Sequence, residues 1–249
     1  MMKRILLIGL VVLAAASCKK PNAEERITAI TEYYTENTED TYAAQIAQYE
    51  GDRRIDYLSL VLGKEMGTED IWTLDTDTGH SLLAAFPGVD KKATEPIISL
   101  ISAPVDDPTA CAAVLNVLKA FKKLRIAHKN DIRAFFYDPQ PDSLGQSGLT
   151  LAEQDFKDTK EIITFNLVLT SRDTLPANTF VIEDKKMFTA KLIDIVLPYL
   201  KPLGEYQFVQ GNYYNPEWPI KMATYRFQVD ESRLMQDAAV TTAFYMLLN

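Results

Sequence analysis

Short apolar runs alternate along this chain with stretches in which apolar residues recur at helical spacing. Short apolar runs favour buried strands, and a spacing of three or four residues favours amphipathic helices. Strands separated by helices imply an α/β fold, here a three-layer α/β/α sandwich around a mostly parallel mixed sheet. The predicted strands are residues 71–74, 81–86, 97–101, 132–137, 162–169 and 220–227. The predicted helices are residues 23–34, 39–50, 55–66, 109–124, 187–200 and 231–248.

The predicted helix 109–124 has the clearest amphipathic pattern. Cys111 and Leu118 lie on its apolar face, so the helix is expected to cover the sheet. Cys111 is then a small buried side chain rather than a reactive thiol. Asp107 followed by Pro108 is typical of a helix start, with Asp107 as the N-cap and Pro108 at the first helical position. Candidate N-caps of the first two helices are Asn22 and Thr38.

The N-terminus has the order of a secretory signal. Lys3 and Arg4 precede an apolar run, residues 5–16, that is too short to span a bilayer. The next segment, Ala15-Ala16-Ser17-Cys18, resembles a bacterial lipoprotein cleavage box. This resemblance implies cleavage before Cys18 and attachment of lipid to its sulfur.

Three segments follow from that resemblance: a lipoprotein signal peptide at residues 1–17, a lipidated tether at 18–24 and a single domain at 25–249. The protein is then expected in the bacterial cell envelope, held to the membrane by its lipid and facing the periplasm or the outside. The alternative is ordinary cleavage after residues 14–16, which would leave Cys18 as an unmodified residue.

The net charge and the small numbers of Cys and His residues limit the kinds of partner and of metal site that the sequence allows. The formal net charge is −8, spread without a long block of one sign, so nucleic acid is not an expected partner. The chain has two cysteines, so acylation of Cys18 would leave Cys111 without a disulfide partner in the chain. His80 and His128 have no Cys or His partner at metal-binding spacing and are expected at the surface or in capping roles.

Residues 97–147 carry a recognisable order of motifs. The apolar strand 97–101 leads to Asp106-Asp107 and a helix, and strand 132–137 ends at Asp138-Pro139-Gln140-Pro141-Asp142-Ser143-Leu144-Gly145-Gln146-Ser147. This order resembles the zinc aminopeptidase family, which includes the glutaminyl cyclases and in which the second strand ends in Asp-Gly-Glu-Glu-x-Gly-Leu-x-Gly-Ser. The resemblance runs from about residue 39 to the end of the chain and implies a zinc-exopeptidase-like fold.

Most positions where this resemblance implies metal ligands or a general base carry other residue types. The family's His-x-Asp corresponds to Ala103-Pro104-Val105, and its Glu-Glu pair corresponds to Gln140 and Pro141. Val168 stands in place of an aspartate, and residues 224–227 contain no histidine. Asp106 and Asp107 match the turn that bears the bridging carboxylate. We therefore expect no metal and no other cofactor.

The sequence favours a domain without catalytic activity that binds a peptide, glycan or protein ligand. An aromatic-rich stretch lies near the family's substrate pocket, so Trp218 and Tyr225 are candidate pocket residues; packing in the core or in loops is the alternative. A second hypothesis is a hydrolase with a rearranged site around Asp106, Asp107 and Asp142. A third is a structural envelope protein without a ligand.

The lipid anchor leads to a direct prediction. Wild-type protein should incorporate radiolabelled palmitate in bacteria and sediment with membranes, because acyl chains at Cys18 bury many methylene groups in the bilayer. The Cys18→Ala variant should not incorporate palmitate. Equal labelling of the two proteins would rule out lipid attachment at Cys18.

Overall fold

The structure, a computed structural model, describes residues 22–75, 79–88, 97–126, 130–140, 162–172, 178–183, 188–211 and 224–248. Its strands form one eight-stranded sheet. They are β1 (Ile71–Asp75), β2 (His80–Phe86), β3 (Ile97–Pro104), β4 (Asp131–Tyr137), β5 (Ile162–Thr170), β6 (Thr179–Glu183), β7 (Gln207–Gln210) and β8 (Thr224–Gln228).

The strand order is β1-β2-β4-β3-β5-β8-β6-β7. Strands β4, β3, β5 and β8 are mutually parallel and form the centre of the sheet. β1 and β2 extend it on one side with antiparallel pairings, while β6 runs antiparallel to β8 and β7 runs parallel to β6. The prediction of a mostly parallel mixed sheet is confirmed.

Six helices accompany the sheet in the described part of the chain. They are α1 (Ala23–Glu36), α2 (Ala43–Ile46), α3 (Asp52–Val61), α4 (Pro108–Leu124), α5 (Phe188–Leu200) and α6 (Leu234–Leu248). A π-helical turn, Leu62–Met66, continues α3, and single 3-10 turns follow α5 and precede α6. Among the described helices, none combines the length and the apolar character needed to cross a membrane.

Apolar side chains are buried on both faces of the sheet because strand residues alternate between the faces. In β4, Ile132 and Phe136 belong to the large core that includes residues of all six helices, whereas Phe135 belongs to a second cluster on the opposite face. Ile98, Leu100 and Phe135 of this second cluster are fully buried. Burial on both faces agrees with the predicted three-layer α/β/α fold.

The start of the chain differs in part from the prediction. Asn22 caps α1 as expected, through a capping box with Glu25. The helix predicted at 39–50 is instead the short α2, because the Asp40 carboxylate accepts the N–H groups of Tyr42 and Ala43 at 3.1 and 2.7 Å and so fixes a later start. The candidate cap Thr38 is not used there. Gly51, with φ of 51°, then reverses the chain into α3.

The last third of the chain was only partly predicted. Strands β6 and β7 were missed, since with five and four residues neither is long enough to show a clear alternation of apolar and polar positions. Residues 231–248 form a 3-10 turn followed by α6 rather than one helix, and Asp230 accepts the Ser232 N–H at 2.8 Å at the start of that turn. Strands β6 and β7 therefore extend the sheet beyond β8.

A stack of phenylalanines joins these added strands to α6. The ring of Phe180 in β6 lies 4.3 Å from that of Phe227 in β8, 4.5 Å from that of Phe244 in α6 and 5.1 Å from that of Phe208 in β7, measured between ring centroids. Phe180 is fully buried. Its ring therefore holds β6, β7 and β8 together against the helix.

Truncation of the Phe180 side chain tests how much this stack of rings contributes to stability. Phe180→Ala should lower the free energy of unfolding by about 3–5 kcal/mol, because it leaves a cavity where three rings meet. The control is Ile195→Ala in α5, where the side chain is 61% exposed and a change within about 0.5 kcal/mol is expected. Urea unfolding of both variants gives the comparison, and similar losses would contradict the central position of Phe180.

Candidate functional site

The carboxyl ends of the parallel strands β3, β4, β5 and β8 lie at one edge of the sheet, where open α/β folds usually bind ligands. The segment after β3 contains Val105, Asp106 and Asp107, and β5 is followed directly by Ser171 and Arg172. The Val105 N–H donates to the carbonyl of Tyr137 at 2.7 Å, which keeps the ends of β3 and β4 aligned. This edge is therefore the candidate site.

Asp107 is the most deeply buried acidic residue of this edge, at 1% exposure. Its Oδ1 accepts the N–H of Ala110 at 3.0 Å and the hydroxyl of Ser171 at 2.6 Å. Its Oδ2 accepts the N–H of Ser171 at 2.7 Å. With Pro108 at the first helical position, Asp107 is the N-cap of α4, as predicted, and it also ties α4 to the end of β5.

Asp106 forms an ion pair with Arg172. Nη1 of the guanidinium donates to Oδ2 of Asp106 at 2.6 Å, and Nη2 donates to the main-chain carbonyl of Asp106. The hydrogen bond to the carboxylate raises the pKa of Arg172, which therefore stays charged. The other oxygen, Oδ1 of Asp106, is buried and accepts no hydrogen bond from the described residues.

A second arginine, Arg54, also contacts the turn between β3 and α4. Arg54, 9% exposed, donates from Nε to the carbonyl of Tyr49 at 2.8 Å and from Nη1 to the carbonyl of Val105 at 3.1 Å. Arg54 thus connects the start of α3 to the segment between β3 and α4. Arg54 and Arg172 therefore both contact the segment that carries Asp106 and Asp107, and the formal charges of these four side chains sum to zero.

Cys111 lies beneath this group and is fully buried, as predicted. Its Sγ is 3.2 Å from the carbonyl of Pro104, to which the thiol donates. Burial, followed by the nearby Asp107 carboxylate, raises the pKa of the Cys111 thiol well above its usual range. The thiol is therefore neutral at physiological pH and is a poor nucleophile.

The end of β4 supplies different groups. Asp138 is 6% exposed; its N–H donates to the Ser81 hydroxyl at 2.9 Å, and its Oδ1 accepts the N–H of Gln140 at 2.9 Å. Gln140 is exposed, and an amide does not accept a proton at neutral pH. Pro141 and Asp142 lie outside the described residues.

The other predicted site residues are dispersed. Ala103 and Val168 are buried within β3 and β5, and Val105 is half-buried in the turn. Tyr225, the candidate pocket residue in β8, is 3% exposed and packs edge-on against Phe244, with ring centroids 5.0 Å apart. Trp218, His128 and Cys18 lie outside the described residues.

His80 begins β2, as expected for a strand start, and contacts two carboxylates. Its Nδ1 is 2.8 Å from Oδ1 of Asp75, and its Nε2 is 3.3 Å from Oδ1 of Asp52. Both aspartates are largely exposed, so these are surface contacts that contribute little to stability.

The described residues do not fit a zinc site. Zinc is usually held by three or four His, Cys, Asp or Glu side chains. No group of three or more such side chains that could hold a metal lies in the part of the chain that the structure describes. At the carboxyl edge the Asp107 oxygens accept hydrogen bonds, and Asp106 pairs with a guanidinium.

Sequence reasoning missed Ser171 and Arg172, which complete this arrangement. The available signal was their position: two polar residues follow an apolar parallel strand directly, and so reach the same edge as Asp106 and Asp107.

The two aspartates should differ in their effect on stability. Asp107→Ala removes the cap and leaves the Ser171 N–H without its partner, which should lower the free energy of unfolding by about 2–4 kcal/mol. Asp107→Asn retains an acceptor for the cap and should cost less. Asp106→Ala loses a partly exposed ion pair and should cost about 1 kcal/mol or less. Urea unfolding measures all three, and a wild-type midpoint for Asp107→Ala would contradict this role.

No protein-family model matches the sequence, and no curated protein matches it. Solved structures match the fold. LapA of Legionella pneumophila aligns with a TM-score of 0.56 at 13% identity, covering 92% of this chain and 77% of that chain. A protein of Bacteroides vulgatus assigned as a Zn-dependent exopeptidase aligns with a TM-score of 0.54 at 15% identity, covering 82% and 92%.

A leucine aminopeptidase precursor from Bacteroides thetaiotaomicron gives a TM-score of 0.53 at 12% identity and covers 81% of this chain and 93% of its own. Identities this low establish the fold and leave the activity open. The chain therefore has the aminopeptidase-like zinc exopeptidase fold.

Proposed function

We propose that this protein is a lipid-anchored component of the bacterial cell envelope whose zinc-exopeptidase-like domain acts by binding rather than by catalysis. The observation that carries the proposal is the pairing at the carboxyl edge of the sheet. Asp107 accepts three hydrogen bonds from Ala110 and Ser171, and Asp106 is paired with Arg172.

Electrostatics supports this reading of the site. A pair of zinc ions needs carboxylate oxygens with free lone pairs directed at the metal, and further imidazole or carboxylate ligands around it. Two metal ions beside Asp106 would also lie next to the guanidinium of Arg172, and like charges at this distance repel. The arginine neutralises Asp106 without a metal.

The chemistry of two side chains at this edge is a second support. Gln140 replaces the residue that the family resemblance assigns as general base, and its amide cannot take a proton from water. The buried Cys111 is held as a neutral thiol by its raised pKa. Neither side chain provides the activated base or nucleophile that hydrolysis needs.

The proposed anchor would keep the domain close to the membrane. If lipid is attached to Cys18, four residues lie between it and Ala23, the first residue of α1. Such a segment spans at most about 18 Å when fully extended. A short tether suits a protein that meets its peptide, glycan or protein ligand at the envelope surface.

Metal content and activity test this proposal together. The full-length protein, purified in detergent and dialysed, should hold well below one zinc per chain, because the described carboxylates cannot form a four-ligand site. It should not hydrolyse aminoacyl chromogenic substrates with or without added zinc. An active zinc aminopeptidase treated in parallel is the control.

Two results would contradict the proposal. Retention of about one or more zinc ions per chain after dialysis would show a metal site of the strength that structural and catalytic zinc needs. Hydrolysis that is lost in Asp106→Asn or Asp142→Asn would instead support the rearranged hydrolase site around Asp106, Asp107 and Asp142.

A further inference from the structure

A cavity of about 640 Å³ opens where α5 ends and β6 and β7 begin. This volume lies within the range of about 300–1,000 Å³ that is typical of small-molecule sites. Its walls come from Leu197 and Pro198 of α5, Asn178 before β6, and residues 204–207 before and within β7. Asp106 and Asp107 are not among its lining residues, so it is a different place from the site described above.

The lining combines apolar surface with two opposite charges. Leu197, Pro198 and the ring of Tyr206 provide the apolar surface, while Lys201 and Glu205 are exposed at the opening. Neither charged side chain forms an ion pair or a hydrogen bond with another described residue. A cation and an anion that are both free beside an apolar wall complement a molecule with both charges and an apolar body.

Two residues that line the cavity have positive backbone φ angles. Asn178 has φ of 59°, in the left-handed region that non-glycine residues rarely occupy. Gly204 has φ of 147°, and a Cβ there would lie 3.0 Å from Cε2 of Tyr206 and 3.2 Å from Nε2 of Gln236. Glycine therefore allows the close approach of the 203–206 segment to α6.

Two polar atoms in this wall are left unpaired. Oδ1 of Asn178 and the hydroxyl of Tyr206 are buried and have no hydrogen-bond partner among the described residues. Buried polar atoms without a partner are few in folded proteins, and a bound ligand or water is one way in which they are satisfied. Both belong to residues that line the same cavity.

We propose that this cavity binds a small zwitterion with an apolar body, the simplest example being an apolar α-amino acid. The ligand carboxylate pairs with the Lys201 ammonium, the ligand ammonium pairs with the Glu205 carboxylate, and the apolar side chain packs on Leu197, Pro198 and the Tyr206 ring. The inference rests on the proposed binding function and gives it a ligand class. It needs no metal and no chemical step.

Titration with phenylalanine tests the site directly. Full-length protein in detergent should bind free phenylalanine saturably in isothermal titration calorimetry, and N-acetylphenylalaninamide, which lacks both charges, should bind at least about tenfold more weakly.

Lys201→Met and Glu205→Gln should each weaken phenylalanine binding by about tenfold or more. Matched controls are Lys64→Met and Glu36→Gln, which change exposed residues of the same types elsewhere and should leave the affinity within about twofold of wild type.

All four substitutions are at exposed positions, so the thermal unfolding midpoints should stay within a few degrees of wild type. Any of three results would overturn the inference. The first is no saturable heat with phenylalanine up to about 10 mM, a concentration at which even sites of mM affinity are filled. The others are equal affinity for N-acetylphenylalaninamide and wild-type affinity for phenylalanine in both pocket variants. Binding of N-acetylglucosamine in place of phenylalanine would also overturn it, in favour of a saccharide.

These results are separable from the proposed function. If the protein is free of zinc, inactive and does not bind phenylalanine, this ligand class is refuted but the proposed binding role is not. A protein that binds phenylalanine through Lys201 and Glu205 but retains zinc and hydrolyses substrates would refute the non-catalytic role alone.

Discussion

Burial of the Asp107 carboxylate is costly unless its oxygens are hydrogen-bonded, and the bonds that satisfy it organise the edge of the sheet on which the site depends. The carboxylate is satisfied by the first turn of α4 on one side and by Ser171 on the other. It therefore fixes where α4 begins, holds the turn after β3, and brings the end of β5 beside it. Arg172 reaches Asp106 because Ser171 is held in this way.

The same arrangement shows how the turn after β3 can be held by the chain's own side chains. Hydrogen bonds and a guanidinium neutralise the two aspartates, so the turn is held without a cation from solution. The amino ends of β6 and β7 lie at this edge too, because β6 runs antiparallel to β8. The cavity beside Lys201 and Glu205 opens there, where the chain has added strands to the parallel centre.

The central elements were predictable because burial imposes a period on their sequences. Strands β3, β4 and β5 and helix α4 differ from their predicted bounds by at most a few residues, and the Asp107-Pro108 cap followed from the chemistry of helix starts. The partners of the two aspartates were not predictable in this way. Arg172 is exposed and follows no period in the sequence. The burial of Tyr225 against Phe244 of α6 depends on the packing of β8 on that helix, which the sequence does not specify.

Zinc-edge anomalous scattering from crystals of the protein grown with zinc tests most directly whether these aspartates are free to bind metal. If hydrogen bonds and the ion pair occupy them, the anomalous difference map will show no peak within bonding distance of Asp106 or Asp107, and the Arg172 guanidinium will remain on Asp106. A strong peak bonded to either carboxylate, with Arg172 displaced, would contradict the claim that this edge is closed to metal.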